Sequence, residues 1–290
     1  MKRLIFTLGC VGILAVISAS TQAAQVTWYR FDKQDNNDRD VSDSISTNNH
    51  GSLIGASTVR TTDRPLLSDN GSLISNSASV VLGNTANEGV AISGTDFIFH
   101  SDGLAGTGDA TLEFVVKNNS KKFASLFWTN TFFNGGAQTI DGHPDSDRFN
   151  IGQTDFGSHG FNGDFKNAGA APGIAGVGGL TDNEWAAIAI GREDQTATAA
   201  NQYLWRWFIE GNEVTSTTTT EPLPSNPHAW SIGSRGCCTA DLLVSEVRFW
   251  DEALTHQDPR FLRVAAQQIP EPASFVLMAI GAGIVFLRRR

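Results

Sequence analysis

Between residues 26 and 250 the chain repeats one pattern. A short apolar or alternating run is followed by a cluster of Gly, Asn, Asp or Ser. The runs are VTWYRF (26–31), GSLIGASTV (51–59), ASVVLG (78–83), GVAIS (89–93), DFIFHS (96–101) and ATLEFVVK (110–117). They continue with KFASLFWT (122–129), RFNIGQ (148–153), EWAAIAIGR (184–192), QYLWRWFIEG (202–211), HAWSIGS (228–234) and LLVSEVRFW (242–250). Their length, their Val, Ile, Phe and Trp content and their turn-rich flanks predict strands. IEGNEV places Gly211-Asn212 between two extended arms, which predicts a tight hairpin. In YLWRWFI, Tyr203, Trp205, Trp207 and Ile209 share one face and read as core, while Leu204, Arg206 and Phe208 share the other. Long amphipathic helical patterns are missing, and THQDPRFLRVAAQ (255–267) reads as a short helix or tail. About a dozen strands in one unit predict an all-β, two-sheet antiparallel sandwich.

The two ends do not follow this pattern. Residues 1–24 carry Lys2 and Arg3, an apolar stretch from Leu4 to Ile17, and small residues Thr21 and Ala23. That is the three-part layout of a secretory signal peptide, with cleavage expected after Ala23 or Ala24. The other end reads IPEPASFVLMAIGAGIVFLRRR. Its apolar run, Ala273 to Leu287, makes about 22 Å of helix, short of a hydrocarbon core of about 30 Å. Arg288, Arg289 and Arg290 lengthen it by snorkelling and mark a cytoplasmic end. Pro270, Glu271 and Pro272, the short apolar run and the arginines together resemble the PEP-CTERM sorting signal of Gram-negative bacteria. That resemblance implies an exosortase-type enzyme in the membrane, a transient anchor, and release or transfer of the body to the cell surface or extracellular matrix. The domain reading is a signal peptide at 1–24, a β-sandwich at 25–267 and a sorting signal with a short transmembrane helix at 268–290.

Charge narrows the partners. Residues 25–270 hold 16 Lys and Arg against 29 Asp and Glu, a net charge of −13. Such a surface repels nucleic acid and anionic membrane and keeps an exported protein soluble.

The first strand and its loop, VTWYRFD with VSDSISTNNHGSL, are similar to the opening of LamG-like, concanavalin A-like jelly rolls. EWAAIAIGR, WRWFIEGNEV, AWSIGS and LLVSEVRFWDEALT then resemble that family's closing strands in order, with Phe208, Ile209, Glu210 and Gly211 at its Tyr-Val-Asp-Gly positions. The resemblance implies a jelly-roll sandwich whose first and last strands share a sheet. It also implies a glycan-binding or adhesive surface module, and makes calcium at a sandwich rim plausible. Hydrolases of the wider superfamily carry Glu-x-Asp-x-Glu on one strand, and this chain has no such triplet. Glu113 and Glu246 are lone strand carboxylates, so the module reading is preferred to a secreted polysaccharide hydrolase, whose two carboxyls must sit close together. A purely structural matrix protein is the remaining alternative.

Two binding chemistries fit the residues. Calcium takes six to eight oxygens from flexible loops. DGHPDSDRFNIGQTDF offers Asp141, Asp145, Asp147 and Asp155 around Asn150, and DKQDNNDRDVSD offers a second acidic loop. Sugars stack their apolar faces on indole rings, and Trp128, beside TNTFFNGG near a strand end, is the candidate platform for a polysaccharide.

With Cys10 in the apolar leader, the body holds only the adjacent pair Cys237 and Cys238. Oxidising conditions favour disulfides outside the cytoplasm. Neighbouring Cα atoms lie about 3.8 Å apart, below the usual disulfide range, so a ring between them is strained. The choices are a vicinal ring, two free thiols, or bonds to other chains; glycine in SRGCCTAD gives the backbone room to distort and favours the ring. Mass spectrometry of alkylated, unreduced protein is expected to find no alkyl group on the peptide holding 237 and 238. Two alkyl groups rule the ring out, and a dimer lost on reduction shows cross-linking.

Overall fold

Alternation sorts the strand residues onto two faces, and the strands pair into two eight-stranded antiparallel sheets. The computed structural model describes residues 25–31, 40–42, 44–45, 51–75, 78–82, 89–92, 109–118, 124–129, 131–134, 137–140, 148–154, 160–166, 177–178, 181, 183–195, 202–219, 230–233 and 242–267, with only the backbone for the described residues from Ala124 to Gly178 and for Val26, Ser75, Ala91, Asn118, Thr219, Trp230, Ser231 and Gly233. Strands are numbered in chain order. The first sheet runs β18 (Asn212–Thr219), β17 (Tyr203–Ile209), β16 (Trp185–Asp194), β9 (Ala110–Asn118), β20 (Leu242–Trp250), β7 (Ser79–Leu82), β4 (Val59–Thr61). β1 (Gln25–Tyr29) pairs with the far end of β20, Tyr29 opposite Val247. The second sheet runs β15 (Val177–Gly178), β14 (Gly160–Lys166), β13 (Arg148–Thr154), β10 (Ala124–Thr129), β19 (Trp230–Gly233), β8 (Gly89–Ile92), β3 (Gly51–Ile54), β2 (Asp40–Val41). A hairpin, β11 (Thr131–Asn134) with β12 (Ala137–Ile140), and a small sheet, β21 (Arg263–Ala266), β5 (Leu66–Asp69), β6 (Ser72–Ser75), complete the set.

The main core lies between the two large sheets. The first supplies Leu112, Phe114, Ile188, Ile190, Trp205 and Trp207, and the second Val41, Leu53, Val90, Ile92 and Ile232. The two tryptophans are 1 % and 0 % exposed, as their shared face predicts. At the end of this core Arg192 lies over the Tyr203 ring, 5.3 Å from its centroid; burial draws its guanidinium down to about 10.

The outer face of the first sheet is also covered. Residues 251–267, the strap, cross it and finish as β21 in the small sheet. Trp185, Ala187, Leu243 and Val115 pack beneath Leu67 and Leu262, and Ala189, Phe208 and Trp250 beneath Leu254 and Phe261. β20 is therefore buried along its whole length, with Glu246 and Arg248 enclosed too. An enclosed charge needs partners. Arg248 lies directly across from Glu113 on β9. Its Nε and Nη2 donate to Glu113 Oε2 at 2.8 and 2.7 Å, Nη1 reaches Asp69 at 3.2 Å, and Nη2 donates to the Arg260 carbonyl at 2.6 Å. The other Glu113 oxygen accepts from the Leu262 amide at 2.6 Å. Burial drives the Glu113 carboxyl up from its ordinary value, against the opposing charge of Arg248.

Several expectations change. GSLIGASTV breaks at Gly55, whose φ of 87° ends the strand; 51–54 joins one sheet and 59–61 the other. The hairpin turn is Glu210-Gly211, one residue before Gly211-Asn212, with φ of 50° and 73°. Glu210 is fixed there because its carboxylate accepts from the Ala187 and Val264 amides at 2.8 and 2.7 Å. Of the two readings of 255–267, a short helix or a tail, the structure shows the tail: an extended strap with turns. Hairpin β5–β6, turning on Asn70-Gly71 with φ of 48° and 76°, was not among the expected strands. The expected strand at 96–101 and both terminal segments lie outside the described residues, and among the described residues no helix is long and apolar enough to cross a membrane.

Removing one member of a buried, hydrogen-bonded ion pair costs about 3–5 kcal/mol. Glu113→Ala is expected to lower unfolding stability by about that amount in urea titration. A loss below about 1 kcal/mol would place the pair in solvent-like surroundings.

Candidate functional site

Two surfaces bear on function: the strap that leads into the C-terminal motif, and the outer face of the second sheet.

The strap is held at intervals along its length. The Thr111 hydroxyl donates to the Glu252 carbonyl at 2.7 Å and accepts from the Leu254 amide at 2.9 Å. Gly191 lies beneath it, where a Cβ would stand 3.3 Å from Phe208 and 3.6 Å from the Leu254 carbonyl. Gln257 and Arg263 clasp the β17–β18 turn: the Gln257 amide donates to the Gly211 carbonyl at 2.8 Å and Arg263 Nε to the Glu210 carbonyl at 3.2 Å. A Cβ on Gly211 would meet Arg263 at 2.8 Å. The last anchor is Gln267, whose amide group accepts from the Trp185 amide and donates to the Trp185 carbonyl. Only residues 268 and 269 separate it from Pro270.

The second sheet presents a different surface. Directly opposed residues of antiparallel strands share a face. One row runs Leu53, Val90, Ile232, Phe127, Ile151, Gly163, and its described side chains are core. The next row lies on the opposite face: Asp40, Ser52, Ala91, Ser231, Trp128, Asn150, Asp164. Trp128 thus stands between Ser231 and Asn150, with Asp164 one strand further, on the face away from the core. Two residues along the same face are Gly152 and Asn162 on one side and Arg148 and Lys166 on the other. Trp230 falls in a core row instead, with Val41, Ile92 and Thr129. Four other tryptophans, 185, 205, 207 and 250, are at most 6 % exposed, which removes them as platforms.

Asp141, Asp145, Asp147 and Asp155, Cys237 and Cys238, and Pro270, Glu271, Pro272 and Arg288–Arg290 lie outside the described residues. Among the described residues no group of three His, Cys, Asp or Glu is placed to hold a metal ion. Asp164 and Ser231 were missed as neighbours of Trp128. The signal was the alternation of GFNGDFK (160–166), obscured by its glycines and asparagine.

A model of the PEP-CTERM protein-sorting motif matches residues 268–290. The chain ends in a PEP-CTERM sorting motif. The motif marks an exported protein, held transiently in a membrane and processed by an exosortase. No curated protein matches the chain. Among solved structures it is similar to domain 4 of AbnA, a GH43 extracellular arabinanase from Geobacillus stearothermophilus, in complex with arabinotriose. The TM-score is 0.53 at 15 % identity, over 82 % of this chain and 97 % of that one. The receptor-binding domain of botulinum neurotoxin type G scores 0.53 at 8 % identity, over 81 % of this chain and 50 % of that one. The binding domain of Paraclostridial Mosquitocidal Protein 1 scores 0.52 at 13 % identity, over 81 % and 51 %. The chain spans about half the length of those two chains. At such identities the likeness is one of fold, an all-β sandwich.

Because the described fold ends at Gln267, cutting at the motif leaves its anchors intact. Protein from the host's surface is expected to end near residues 270–272 by intact mass; a chain retaining 273–290 in the inner membrane contradicts this. Truncation after Gln267 is expected to leave stability unchanged, whereas truncation after Phe261 removes buried Leu262 and three anchors and is expected to lower it by at least about 3 kcal/mol.

Proposed function

We infer that the body is a non-catalytic glycan-binding module, delivered by its sorting motif to the cell surface or extracellular matrix of a Gram-negative bacterium. The observation that carries this reading is the row around Trp128. In the strand register Trp128 falls on the face away from the core, directly opposite Ser231 and Asn150, with Asp164 one strand further. Stacking on the ring with hydroxyl, amide and carboxylate groups beside it is the chemistry a sugar requires, an apolar face with hydroxyls around its rim. The fold shared with a domain solved with arabinotriose supports it. The module reading is also favoured over hydrolysis by the state of the strand carboxylates. Glu113 is occupied by Arg248 and the strap, and Glu246 accepts from the Trp28 indole.

A calcium ion is part of this proposal, with Asp141, Asp145, Asp147 and Asp155 of the acidic segment DGHPDSDRFNIGQTDF as the candidate oxygen donors.

A glycan array probed with protein purified from the host, in calcium and in chelator, is expected to give binding without turnover of the bound glycan. Trp128→Ala is expected to weaken the best hit by about 30-fold, the loss of a central aromatic contact worth about 2 kcal/mol. Unchanged affinity removes Trp128 from the site, and release of product returns the hydrolase. Calcium is expected to raise the melting temperature by mass action, and Asp145→Ala with Asp147→Ala to abolish the rise; an equal rise in the variant places the ion elsewhere.

A further inference from the structure

The strands that end the two large sheets are unequal. The second sheet ends in two-residue strands, β15 and β2, and the first ends on one side in three-residue β4 and, along the far end of β20, five-residue β1. Very short edges are one way a sheet avoids pairing with other chains. The other end of the first sheet is β18, eight residues long, paired with β17 on one side and with no described strand on the other. A bulge blunts its start: Thr215 faces Trp207 and Glu213 faces Phe208, leaving Val214 unopposed. From Thr215 to Thr219 the ladder is regular and the sequence is Thr-Ser-Thr-Thr-Thr, without proline, lysine or any charge. Ser216 and Thr218 are exposed. Glu213, the one charged residue of β18, is paired within the chain to Arg206 at 3.3 Å.

We propose that β18 pairs antiparallel with β18 of a second copy, about a two-fold axis normal to the sheet, so that the sheet continues through both chains. A second copy is the occupant because the edge is self-complementary. Antiparallel pairing must match faces. Thr215, Thr217 and Thr219 lie in the rows of Trp207, Trp205 and Tyr203, and Ser216 and Thr218 in the rows of Arg206 and Leu204. A two-fold centred on Thr217 matches both sets: Thr217 faces Thr217, Ser216 faces Thr218, and Thr215 faces Thr219. Every opposed pair is hydroxyl against hydroxyl, a favourable cross-strand class. β1, the other described edge of comparable length, reads Gln-Val-Thr-Trp-Tyr and carries a register shift between Gln25 and Thr27, so it offers no such hydroxyl match. The body's acidic charge opposes self-association in general, but on β18 the only carboxylate, Glu213, is paired with Arg206, which it shares with Glu193. The contact is isologous and small, so the dimer is weak and concentration-dependent.

The axis direction has a consequence that rests on the glycan-binding reading. An axis normal to the sheet leaves both second sheets on one side of the dimer and both straps on the other. Two Trp128 faces then address one polymer together, which raises avidity without new contacts.

Sedimentation velocity of the protein purified from its host, over a rising concentration series, is expected to show a monomer passing to a dimer. Ser216→Lys with Thr218→Lys, and separately Ser216→Glu with Thr218→Glu, are expected to stay monomeric with unchanged melting temperature. Mixing the two variants in equal amounts is expected to restore a dimer, because Lys then faces Glu across the axis. A wild-type monomer at every concentration, variants that dimerise as the wild type does, or a mixture that stays monomeric overturns the proposal. Binding of a short oligosaccharide to the monomeric variants reads the Trp128 site by itself, so failure of the dimer and failure of the glycan reading are separately visible.

Discussion

The buried pair between Glu113 and Arg248 organises the molecule. It lies on the outer face of the first sheet, a face that in a simple two-layer sandwich would be wet. There, two opposed charges on adjacent strands would stabilise little. Here the strap removes water from them, and the desolvation is offset only because each group is fully engaged. Glu113 takes two donors from Arg248 and the amide of Leu262; Arg248 also takes Asp69 and the Arg260 carbonyl. The polar residues that alternation places on this face are thus the sockets into which the strap's backbone fits. Thr111 and Glu210 repeat the device at either side.

That arrangement divides the surface. The strap and the small sheet occupy the outside of the first sheet and carry the chain to its sorting motif. The outside of the second sheet is where polar rows and Trp128 fall. The strap and the proposed glycan face thereby lie on opposite sides of one core. Since β1 begins at Gln25 and pairs with β20, while the strap follows β20 directly, both ends of the body are tied to the same central strand.

The sequence made the strands legible wherever alternation was strong. VTWYRF, ATLEFVVK, EWAAIAIGR and LLVSEVRFW lie as expected, and the pairing of first with last strand was expected from the LamG-like resemblance. The turns were less legible. SDNGSL contains an Asn-Gly turn signal between short arms, but its flanking residues are too few and too polar to announce strands. The Glu210-Gly211 turn is set by a carboxylate that reaches the strap 54 residues on, and no local pattern records that. The strap was hidden for the same reason. THQDPRFLRVAAQ buries Phe261 and Leu262 against a distant sheet, and neither a period of 2 nor of 3.6 runs through it. Glu113 and Arg248 looked like isolated charges because their sequence separation is 135 residues. At the proposed glycan face, Trp128 was visible as a candidate, whereas the placing of Ser231 and Asp164 in its row depends on strand order, which periodicity does not encode.

The role of the strap as part of the core is open to a direct reading by amide hydrogen exchange. The Leu262 and Val264 amides donate to carboxylates beneath the strap. Strap and central strands form one cooperative unit in this account, so these two amides are predicted to exchange as slowly as those of β9 and β20, by global unfolding alone. Exchange of Leu262 and Val264 at rates near those of exposed amides, with β9 and β20 still protected, would contradict it.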